Sequence, residues 1–311
     1  MIYKYIGIIR KCITNKASRF NYLAAMGFYN KMPDEEYLRR KFKNTLGYDL
    51  NLDNPKTFNE KLQWLKLFDQ KPEYTLMVDK YLVREYISKT IGKQYLIPLI
   101  NVWETPDKID FSLLPEQFVL KCNHNSGIGM YICRDRSMMN VSKVKAALKK
   151  GYKENYYLEN REWPYKNVPK RIIAEKYMSD DTRFTDKGRT TGLTDYKFYC
   201  FHGEPKYLYV SQGLEDHKTA RISFLNLDWS FADFRRIDYL PLERLPKKPV
   251  NYMEMLQIAR ILSQNIPFLR VDLYEIQKKI YFGELTFSPC AGMMPFDSRE
   301  SDLKLGNLLQ L

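Results

Sequence analysis

The feature that most constrains the fold is a pair of acidic residues embedded in two apolar runs near the end of the chain. The run F-L-R-V-D-L-Y predicts a strand that ends at Asp272, and K-I-Y-F-G-E-L predicts a second strand that ends at Glu284. A short basic turn separates the two runs, so they form a hairpin. Carboxylates are rarely buried in strands unless they are paired or bind a cation. The hairpin therefore predicts either a cation site or an ion pair.

Two interpretations of this site follow from the residue types. Mg²⁺ prefers one or two protein carboxylates together with phosphate oxygens, which suits Asp272 and Glu284. Alternatively, Arg270 simply neutralises Asp272 in a buried ion pair. The metal is the favoured interpretation, because one arginine cannot easily neutralise both carboxylates.

The composition is that of a globular protein with an anionic partner. The 311 residues include 24 Tyr and 17 Phe, which excludes a disordered chain, and the formal charge is +13. Such a charge suits a nucleotide, an acidic polysaccharide, a nucleic acid or an anionic membrane surface. The cysteines form no CxxC pair and the histidines no HxxxH pair, which predicts a reduced, cytosolic protein without a zinc site. The cysteines are Cys12, Cys122, Cys133, Cys200 and Cys290.

The apolar runs are too short to span a bilayer, since none approaches about eighteen residues. The first apolar stretch is interrupted by Arg10 and Lys11, which argues against a secretion signal. The same stretch has the pattern of a basic amphipathic helix, with Ile2, Ile6 and Ile9 at helical spacing. We expect it to pack on the protein itself, with peripheral contact at the inner membrane face as the alternative. The expected location is the cytoplasm.

The pattern along the chain divides it into a helical N-terminal region, 1–95, and two strand-rich regions, 96–180 and 181–311. Thr57 and Glu60 form a capping box that begins one helix, and another helix is predicted from about Thr75 to Gly92. A last helix is predicted after a cap at Asn251. Separate helices combined with antiparallel hairpins predict an α+β fold. The runs that predict strands in the first of these regions are Y-L-I-P-L-I, F-V-L-K-C, M-Y-I-C-R and I-I-A-E-K-Y.

A second informative stretch is F-V-L-K-C-N-H-N-S-G-I-G-M, in which a strand ends at Lys121 and leads into a loop of small polar residues. Gly127 and Gly129 allow backbone N–H groups to approach an anion, and Lys121 adds a charge suited to phosphate. The loop is neither a Walker A loop nor a dinucleotide fingerprint. A hairpin with a polar turn explains it about as well.

A third stretch, I-I-A-E-K-Y-M, places Glu175 and Lys176 at the end of an apolar strand. A carboxylate there could accept a hydrogen bond from the adenine amino group while the following backbone reads the ring edge. Charged residues at strand ends are common, so this motif alone is weak.

The order of these motifs carries more information than any one of them. From about residue 30 to 300 the chain resembles the TupA-like (teichuronopeptide biosynthesis) ATP-grasp proteins of bacterial surface-polysaccharide clusters. The matching segments are D-K-Y-L-V-R-E-Y at 79–86, V-L-K-C-N-H-N-S-G at 119–127, E-K-Y at 175–177, D-Y-K-F-Y-C-F-H-G at 195–203 and R-V-D-L-Y with G-E-L-T-F-S-P at 270–289.

The resemblance implies an ATP-grasp fold, in which two α+β lobes follow the helical N-terminal region and sandwich the nucleotide. Its lid and first lobe would occupy 96–180, and the second lobe, with the metal site, 181–311. The implied cofactors are ATP and Mg²⁺, and Arg270 would stabilise charge at the reacting carboxylate. The implied phosphate ligands are Lys80, Lys121 and Lys197, and the implied lid runs from Asn123 through Ser126 and Gly127 to Gly129. Adenine would be held by Glu175, Lys176 and Tyr177, and the ribose by Asp195. The metal would be held by Asp272, Glu284 and Thr286.

The chain departs from the superfamily pattern at two positions. Where its ligases usually have E-x-N, this sequence has Glu284-Leu285-Thr286, and a hydroxyl is a poorer Mg²⁺ ligand than an amide carbonyl, which leaves a second metal open. The Gly-Met that usually follows the proline stands later, at Gly292-Met293.

The implied function is an ATP-dependent carboxylate–amine ligase that acts through an acyl phosphate. It would modify a bacterial capsule or surface polysaccharide at the carboxylate of a uronic acid or an amino acid, so its partners are an acidic glycan or sugar and an amine. A glycosyltransferase is the alternative, with Asp110 and Asp180-Asp181 as weak metal motifs. A nucleic-acid-binding module is less favoured, because it needs no paired acids. Residues 221–231, with Lys218 and Trp229, suggest either an acceptor site or sheet core, and core is favoured.

Overall fold

The described part of the N-terminal region is helical, and a capping box begins one of its helices. The computed structural model describes residues 16–179, 184–185, 188–189, 193–213 and 220–311, so the N-terminal basic stretch, Asp180-Asp181 and Lys218 lie outside the described residues. Thr57 Oγ1 accepts from the Glu60 N–H at 3.1 Å, and the Glu60 carboxylate accepts from the Thr57 N–H at 2.9 Å. The helices are α1 (Lys16–Ala25), α2 (Asp34–Leu46), α3 (Phe58–Phe68), α4 (Pro72–Val78) and α5 (Val83–Thr90).

The single helix predicted from about Thr75 to Gly92 is wrong, because Asp79 divides it into α4 and α5. The buried Asp79 carboxylate accepts the backbone N–H groups of Tyr81 at 2.8 Å and Leu82 at 3.2 Å. Such side-chain bonds compete with helical ones and end the helix. The break places Lys80 in a turn rather than on a helix face.

The first sheet is antiparallel and packs against a basic helix on one face. Its strands are β1 (Leu99–Trp103), β2 (Phe118–Cys122), β3 (Met130–Cys133) and β4 (Ile172–Lys176), in the order β1-β4-β2-β3. Phe118 and Leu120 pack against Val144 and Leu148 of α6 (Val141–Lys153). Because side chains alternate along a strand, Val119 and Lys121 point to the opposite face. The strand predicted from Y-L-I-P-L-I begins only at Leu99, after Pro98, which has no N–H to donate to the sheet.

The second sheet is also antiparallel and carries the acidic hairpin in two of its strands. Its strands are β7 (Asp195–Phe201), β8 (Glu204–Gln212), β9 (Arg221–Asn226), β10 (Phe268–Ile276) and β11 (Lys279–Thr286), in the order β11-β10-β7-β8-β9. A separate short hairpin precedes them, formed by β5 (Phe184–Thr185) and β6 (Gly188–Arg189). The remaining helices are α7 (Tyr156–Asn160), α8 (Tyr252–Ser263) and α9 (Arg299–Gly306).

Both faces of the second sheet are covered. Phe198 and Leu269 belong to a core that includes α8, whereas Tyr199 and Phe268 pack with Phe58 of α3 on the other face. This second core is largely aromatic, with Phe58 and Phe268 at 4.8 Å between ring centroids. The fold is therefore α+β as predicted, with the helical region packed against the second sheet.

Two local predictions in the second sheet are wrong. Strands β10 and β11 do not end at Asp272 and Glu284 but continue to Ile276 and Thr286, so the two carboxylates lie inside the sheet. Asn251 does not cap α8 with its side chain, which donates to the Lys278 carbonyl instead.

Residues 221–231 belong mainly to the sheet, as favoured from the sequence. The middle of β9 is buried, and Trp229 donates its indole N–H to the Pro246 carbonyl at 2.8 Å. Arg221 pairs with Glu243 at 2.6 Å. Among the described residues, the helices are all too short or too polar to cross a bilayer.

Candidate active site

The acidic hairpin places its two carboxylates opposite each other on neighbouring strands. Asp272 of β10 is the cross-strand partner of Glu284 of β11, and the ladder shifts register directly after this pair. Arg270 lies on the same face as Asp272, because residues two apart on a strand point the same way. Its Nε and Nη2 atoms donate to both oxygens of Asp272 at 2.7 Å.

Arg270 also binds the second carboxylate. Its Nη2 lies 2.7 Å from Glu284 Oε1, so one guanidinium serves both acids. The expectation that one arginine cannot do so is wrong, because a guanidinium presents several donors in a planar fork. The buried ion pair considered as an alternative is therefore present, and the two acids need no metal to be neutralised.

Lys197 completes the charge balance from the neighbouring strand β7. Its Nζ lies 2.5 Å from Asp272 Oδ2 and 3.4 Å from Asp195 Oδ1. Asp195 is buried and also accepts from Ser211 Oγ at 3.3 Å. Asp195 thus lies next to Lys197 in the sheet, and its contact with a ribose stays a prediction.

The cluster keeps its charges despite burial. Burial alone would raise the pKa of Glu284, but Arg270, Lys197 and Lys80 outweigh it and lower that pKa to about 2. Burial opposes the charge of Lys197, but the carboxylates of Asp272 and Asp195 raise its pKa above the ordinary value. Burial raises the pKa of Asp272 despite Arg270 and Lys197, so the charges most firmly fixed at neutral pH are those of Glu284 and Lys197.

The donor set fits a magnesium ion shared with phosphate oxygens. Asp272 is 1% exposed and binds three cationic donors, whereas the Glu284 side chain is 36% exposed and binds one. Thr286 Oγ1 lies 3.4 Å from Glu284 Oε1, so a hydroxyl stands beside the more accessible carboxylate. Within the described part of the chain, no group of three or more His, Cys, Asp or Glu side chains forms a metal site. A bound Mg²⁺ therefore needs phosphate oxygens as further ligands, which is how this ion is commonly held.

The first sheet contributes Lys121 and Glu175 from its open face. Lys121 Nζ lies 2.8 Å from Glu175 Oε2, and Arg84 of α5 lies 3.0 Å from the other oxygen. Burial lowers the pKa of Lys80, and the groups that act on it next are Glu284, Lys121 and Glu175. Lys80 thus stands between the charged residues of the two sheets. An adenine amino group at Glu175 would have to share a carboxylate that two cations already bind.

The loop from Asn123 to Gly129 is anchored at its start and exposed at its tip. Asn123 is fully buried; its amide donates to Asp79 and the Pro169 carbonyl at 2.8 Å and accepts the Arg171 N–H at 2.6 Å. The Asn123 side chain therefore anchors the loop, and its part in a lid over phosphate stays a prediction. Ser126 and Gly127 are exposed.

Both glycines of this loop adopt left-handed backbone angles, with φ of 83° at Gly127 and 73° at Gly129. Gly129 is also tightly packed, since a Cβ atom there would lie 2.6 Å from Cys122 Sγ and 2.9 Å from Gly151 Cα. Lys80 Nζ donates to the Asn125 carbonyl at 2.5 Å. The loop thus lies against α6 and against Lys80.

The expected adenine contacts of Lys176 and Tyr177 receive little support from the geometry. The Lys176 N–H already donates to the Pro98 carbonyl at 2.9 Å, so this donor is not free for adenine. The Tyr177 hydroxyl accepts from Arg134 Nε at 3.2 Å. Their role in adenine binding stays a prediction.

Sequence reasoning missed a cavity of about 280 Å³ beside the acidic hairpin. Arg270, Glu284 and Thr286 line it together with Ser126 of the glycine loop. The rest of its wall comes from the segment that contains α7 and from the segment after β11: Tyr156, Asn160, Glu162, Tyr165, Ser288, Cys290 and Ala291. Nothing in the sequence of residues 156–165 predicts a binding site, because these residues meet the hairpin only through the tertiary fold.

The wall after β11 holds an unusual backbone conformation. Cys290 and Ala291 both have positive φ, 53° and 56°, just before the displaced Gly292-Met293 pair. Lys66 of α3 donates to the Ala291 carbonyl at 2.8 Å, and Gln63 donates to the Gly292 carbonyl at 2.5 Å. Two side chains of one helix therefore hold this turn against the cavity.

Residues considered for other functions have structural roles. Asp110 accepts the Ser112 N–H at 2.9 Å and begins a short 3₁₀ turn, so it lies in no metal motif. His124, in the glycine loop, is buried against Tyr152. Among the described residues, Cys122, Cys133, Cys200 and Cys290 are free thiols.

A comparison with known protein families matches the part of the chain that contains the candidate site. The family of TupA-like ATP-grasp proteins matches residues 60–310. A comparison with curated proteins gave no match.

Solved structures with similar folds include D-alanine–D-alanine ligase from Helicobacter pylori, 15% identical with a TM-score of 0.40 over 82% of this chain and 70% of that one. The same enzyme from Bacillus anthracis is 13% identical, with a TM-score of 0.41 over 75% of this chain and 69% of that one. The ATP-grasp ligase PsnB, in complex with a phosphomimetic precursor variant, Mg and ADP, is 9% identical, with a TM-score of 0.39 over 85% of this chain and 65% of that one.

The family match covers most of the chain and includes the glycine loop and the acidic hairpin. It confirms the resemblance seen in the motifs and, with the two antiparallel sheets, the predicted fold. ATP-grasp enzymes use ATP and Mg²⁺. The chain belongs to the TupA-like ATP-grasp family.

Proposed function

We propose that this protein activates a carboxylate as an acyl phosphate and joins it to an amine, in the modification of a bacterial surface polysaccharide. The observation that supports this most is the convergence of Lys80, Lys197 and Arg270 on the acidic hairpin, with Lys121 acting on Lys80 from the first sheet. The cations can bind the phosphate oxygens of a nucleoside triphosphate, and the two hairpin acids can bind its metal ion.

Each charged residue has a defined task in this proposal. Lys80, Lys121 and Lys197 bind phosphate oxygens, and Glu284, Asp272 and Thr286 hold Mg²⁺, which supplies positive charge to the transferring phosphoryl group. Arg270 donates hydrogen bonds to the oxygen that gains charge on the reacting carboxylate. The exposed tip of the glycine loop, Ser126 and Gly127, closes over the phosphates.

The proposed polymer follows from charge and from the family. The formal charge of +13 favours association with an acidic glycan, whose uronic acids also offer the carboxylate to be activated. This part of the proposal names the substrate class and leaves the identity of the sugar to experiment.

The test measures ATP binding with and without Mg²⁺, by thermal shift and by calorimetry, for the wild type and for Glu284→Gln. Glu284 is suited to substitution because it is partly exposed, and Arg270 retains Asp272 as its partner. We expect Mg²⁺ to increase the ATP-dependent shift in the wild type, and Glu284→Gln to lose most of this increase. The matched control is Glu204→Gln, which removes an exposed carboxylate from the same sheet and should behave as the wild type.

Two results would overturn the proposal. Equal Mg²⁺ dependence in Glu284→Gln and the wild type would remove the metal site from the hairpin. A wild type that ignores ATP but is stabilised by UDP-sugars would replace the ligase with a glycosyltransferase.

A further inference from the structure

The cavity beside the acidic hairpin has a carboxylate in its wall that the proposed nucleotide chemistry does not use. Glu162 is 3% exposed and follows Arg161, whose left-handed backbone ends α7. Its Oε1 atom is buried and has no hydrogen-bond partner among the described residues. A buried carboxylate oxygen without a partner is costly, so Oε1 calls for a hydrogen-bond donor.

Two tyrosines connect Glu162 to the acidic hairpin across the cavity. Tyr156 and Tyr165 form an edge-to-face pair with 4.6 Å between ring centroids, and both line the cavity. Burial raises the pKa of each phenol, and both Glu162 and Glu284 raise it further. The two rings therefore lie near both carboxylates, between the wall that holds Glu162 and the proposed site of phosphoryl transfer.

Lys66 does not neutralise Glu162 by direct contact. Its Nζ donates to the Asn160 carbonyl at 3.0 Å and to the Ala291 carbonyl at 2.8 Å, whereas Glu162 Oε1 has no hydrogen-bond partner among the described residues. Burial raises the pKa of Glu162, and the positive charges of Lys66 and Lys41 and the hydroxyl of Tyr156 act against that rise. Lys66 instead fixes the two chain segments between which Glu162 stands.

We propose that this cavity binds the amine co-substrate, a small amino acid or amino sugar, and that Glu162 accepts a hydrogen bond from its ammonium group. The inference rests on the proposed ligase function and adds the class of nucleophile and the residue that recognises it. A cavity of about 280 Å³ is close to the lower limit of about 300 Å³ for ligand pockets, which favours a small molecule over a polymer chain. The faces of Tyr156 and Tyr165 suit a cation and the C–H groups beside it.

Glu162 also has the position to take a proton in the second half of the reaction. The ammonium transfers one proton to the Glu162 carboxylate, which leaves a neutral amine. The amine nitrogen forms a bond to the acyl carbon, the bond from that carbon to the phosphate oxygen breaks, and inorganic phosphate leaves. The nitrogen then releases its remaining extra proton to solvent, so that one amide, one phosphate and the displaced protons balance the step.

The experiment is calorimetric titration of amines into the protein held with saturating Mg²⁺ and a non-hydrolysable ATP analogue. The probes are L-alanine, D-alanine, L-glutamate, L-lysine, glucosamine and galactosamine, with lactate and glucose as counterparts that lack the ammonium group. The variants are Glu162→Gln, which keeps the shape and removes the charge, and Glu162→Asp, which keeps the charge. Glu159→Gln is the matched control, because Glu159 is an exposed carboxylate of the same segment that does not line the cavity.

We expect at least one amine to bind the wild type and Glu159→Gln, and neither counterpart to bind. Glu162→Gln should weaken that amine by about tenfold or more, since a charge-assisted bond is lost, and Glu162→Asp should retain part of the affinity. All variants should bind the nucleotide as the wild type does, which also shows that they are folded.

Equal amine affinity in Glu162→Gln and the wild type would overturn the inference, and so would nucleotide binding without binding of any probe amine. These results leave the proposed function standing. A wild type that does not bind the nucleotide would instead overturn the proposed function.

Discussion

Arg270 shows how a single side chain decides the chemistry of this site. Its guanidinium contacts Asp272 twice and Glu284 once, and Lys197 adds a fourth cationic contact to the two acids. Removing one member of such a buried set leaves an uncompensated charge, which costs far more than the pair contributes. Substitutions that keep the shape and change one charge, such as Glu284→Gln, are therefore more informative here than truncations.

A prediction at the residue scale concerns His124 and pH. The ring is 3% exposed, and burial together with Lys170 and Lys80 lowers its pKa from 6.5 to about 4. Between these values the unfolded chain binds more protons than the folded one, so stability falls as the pH drops below 6.5 and the loss is complete near 4. At about pH 5 this histidine should cost about 2 kcal/mol relative to neutral pH.

The measurement is urea unfolding of the wild type and His124→Gln at about pH 7.5 and about pH 5. The loss between the two pH values should be smaller in the variant by about 2 kcal/mol. The comparison between proteins is needed because Glu162, whose pKa is raised by burial, changes stability in the opposite direction as the pH falls. An identical loss in both proteins would show that His124 does not titrate in this way.

At the scale of elements, the glycine loop depends on two glycines for different reasons. Gly127 has a left-handed backbone with open space around it, whereas Gly129 combines that backbone with close contact to Gly151 of α6. Gly127 needs only the left-handed backbone, whereas Gly129 also needs the absence of a Cβ atom. The pair therefore separates backbone strain from packing in one loop.

We expect Gly127→Ala to cost about 1–2 kcal/mol, the usual penalty for a left-handed residue with a Cβ. Gly129→Ala should cost about 2–5 kcal/mol, because the clash with Cys122 and Gly151 adds about 1–3 kcal/mol. Chemical denaturation of both variants measures the difference. Equal losses would mean that α6 moves away from the loop at little cost.

At the scale of the whole molecule, a buried polar contact joins the N-terminal helical region to the C-terminal segment. Asn59 of α3 donates its side-chain amide to Asp302 of α9 and to the Met294 carbonyl, both at 2.9 Å, and accepts the Met294 N–H at 2.8 Å. Its own N–H also donates to Asp302 at 2.9 Å. This contact holds the N-terminal helical region, the segment after the hairpin and the last helix together beside the aromatic core.

Asn59→Ala should therefore lower the free energy of unfolding by about 2–4 kcal/mol, since it removes the side-chain partners of the Met294 N–H and C=O groups and one donor to the buried Asp302 carboxylate. Asn307→Ala is the control, because Asn307 is exposed at the end of α9. Urea unfolding measures both. A loss of less than about 0.5 kcal/mol for Asn59→Ala would show that water replaces the contact without cost.

The fold class and the family could be predicted from the amino-acid sequence, and the same motifs name the residues that we propose bind the nucleotide and the metal. These predictions are possible because alternation along the strands, the capping box at Thr57 and the order of the charged motifs are local properties of the chain. The motifs did not reveal the partners of the Asn123 side chain, which hydrogen-bonds to Asp79, Pro169 and Arg171 from distant segments.

The partners of the charged residues depend on the tertiary structure. The sharing of Arg270 between two acids depends on the register of β10 and β11, and the cavity exists only where the segment of Glu162 meets the end of β11. Contacts between segments more than a hundred residues apart leave no periodic signal in the sequence, because the free energy that fixes them comes from packing and from paired burial of charge.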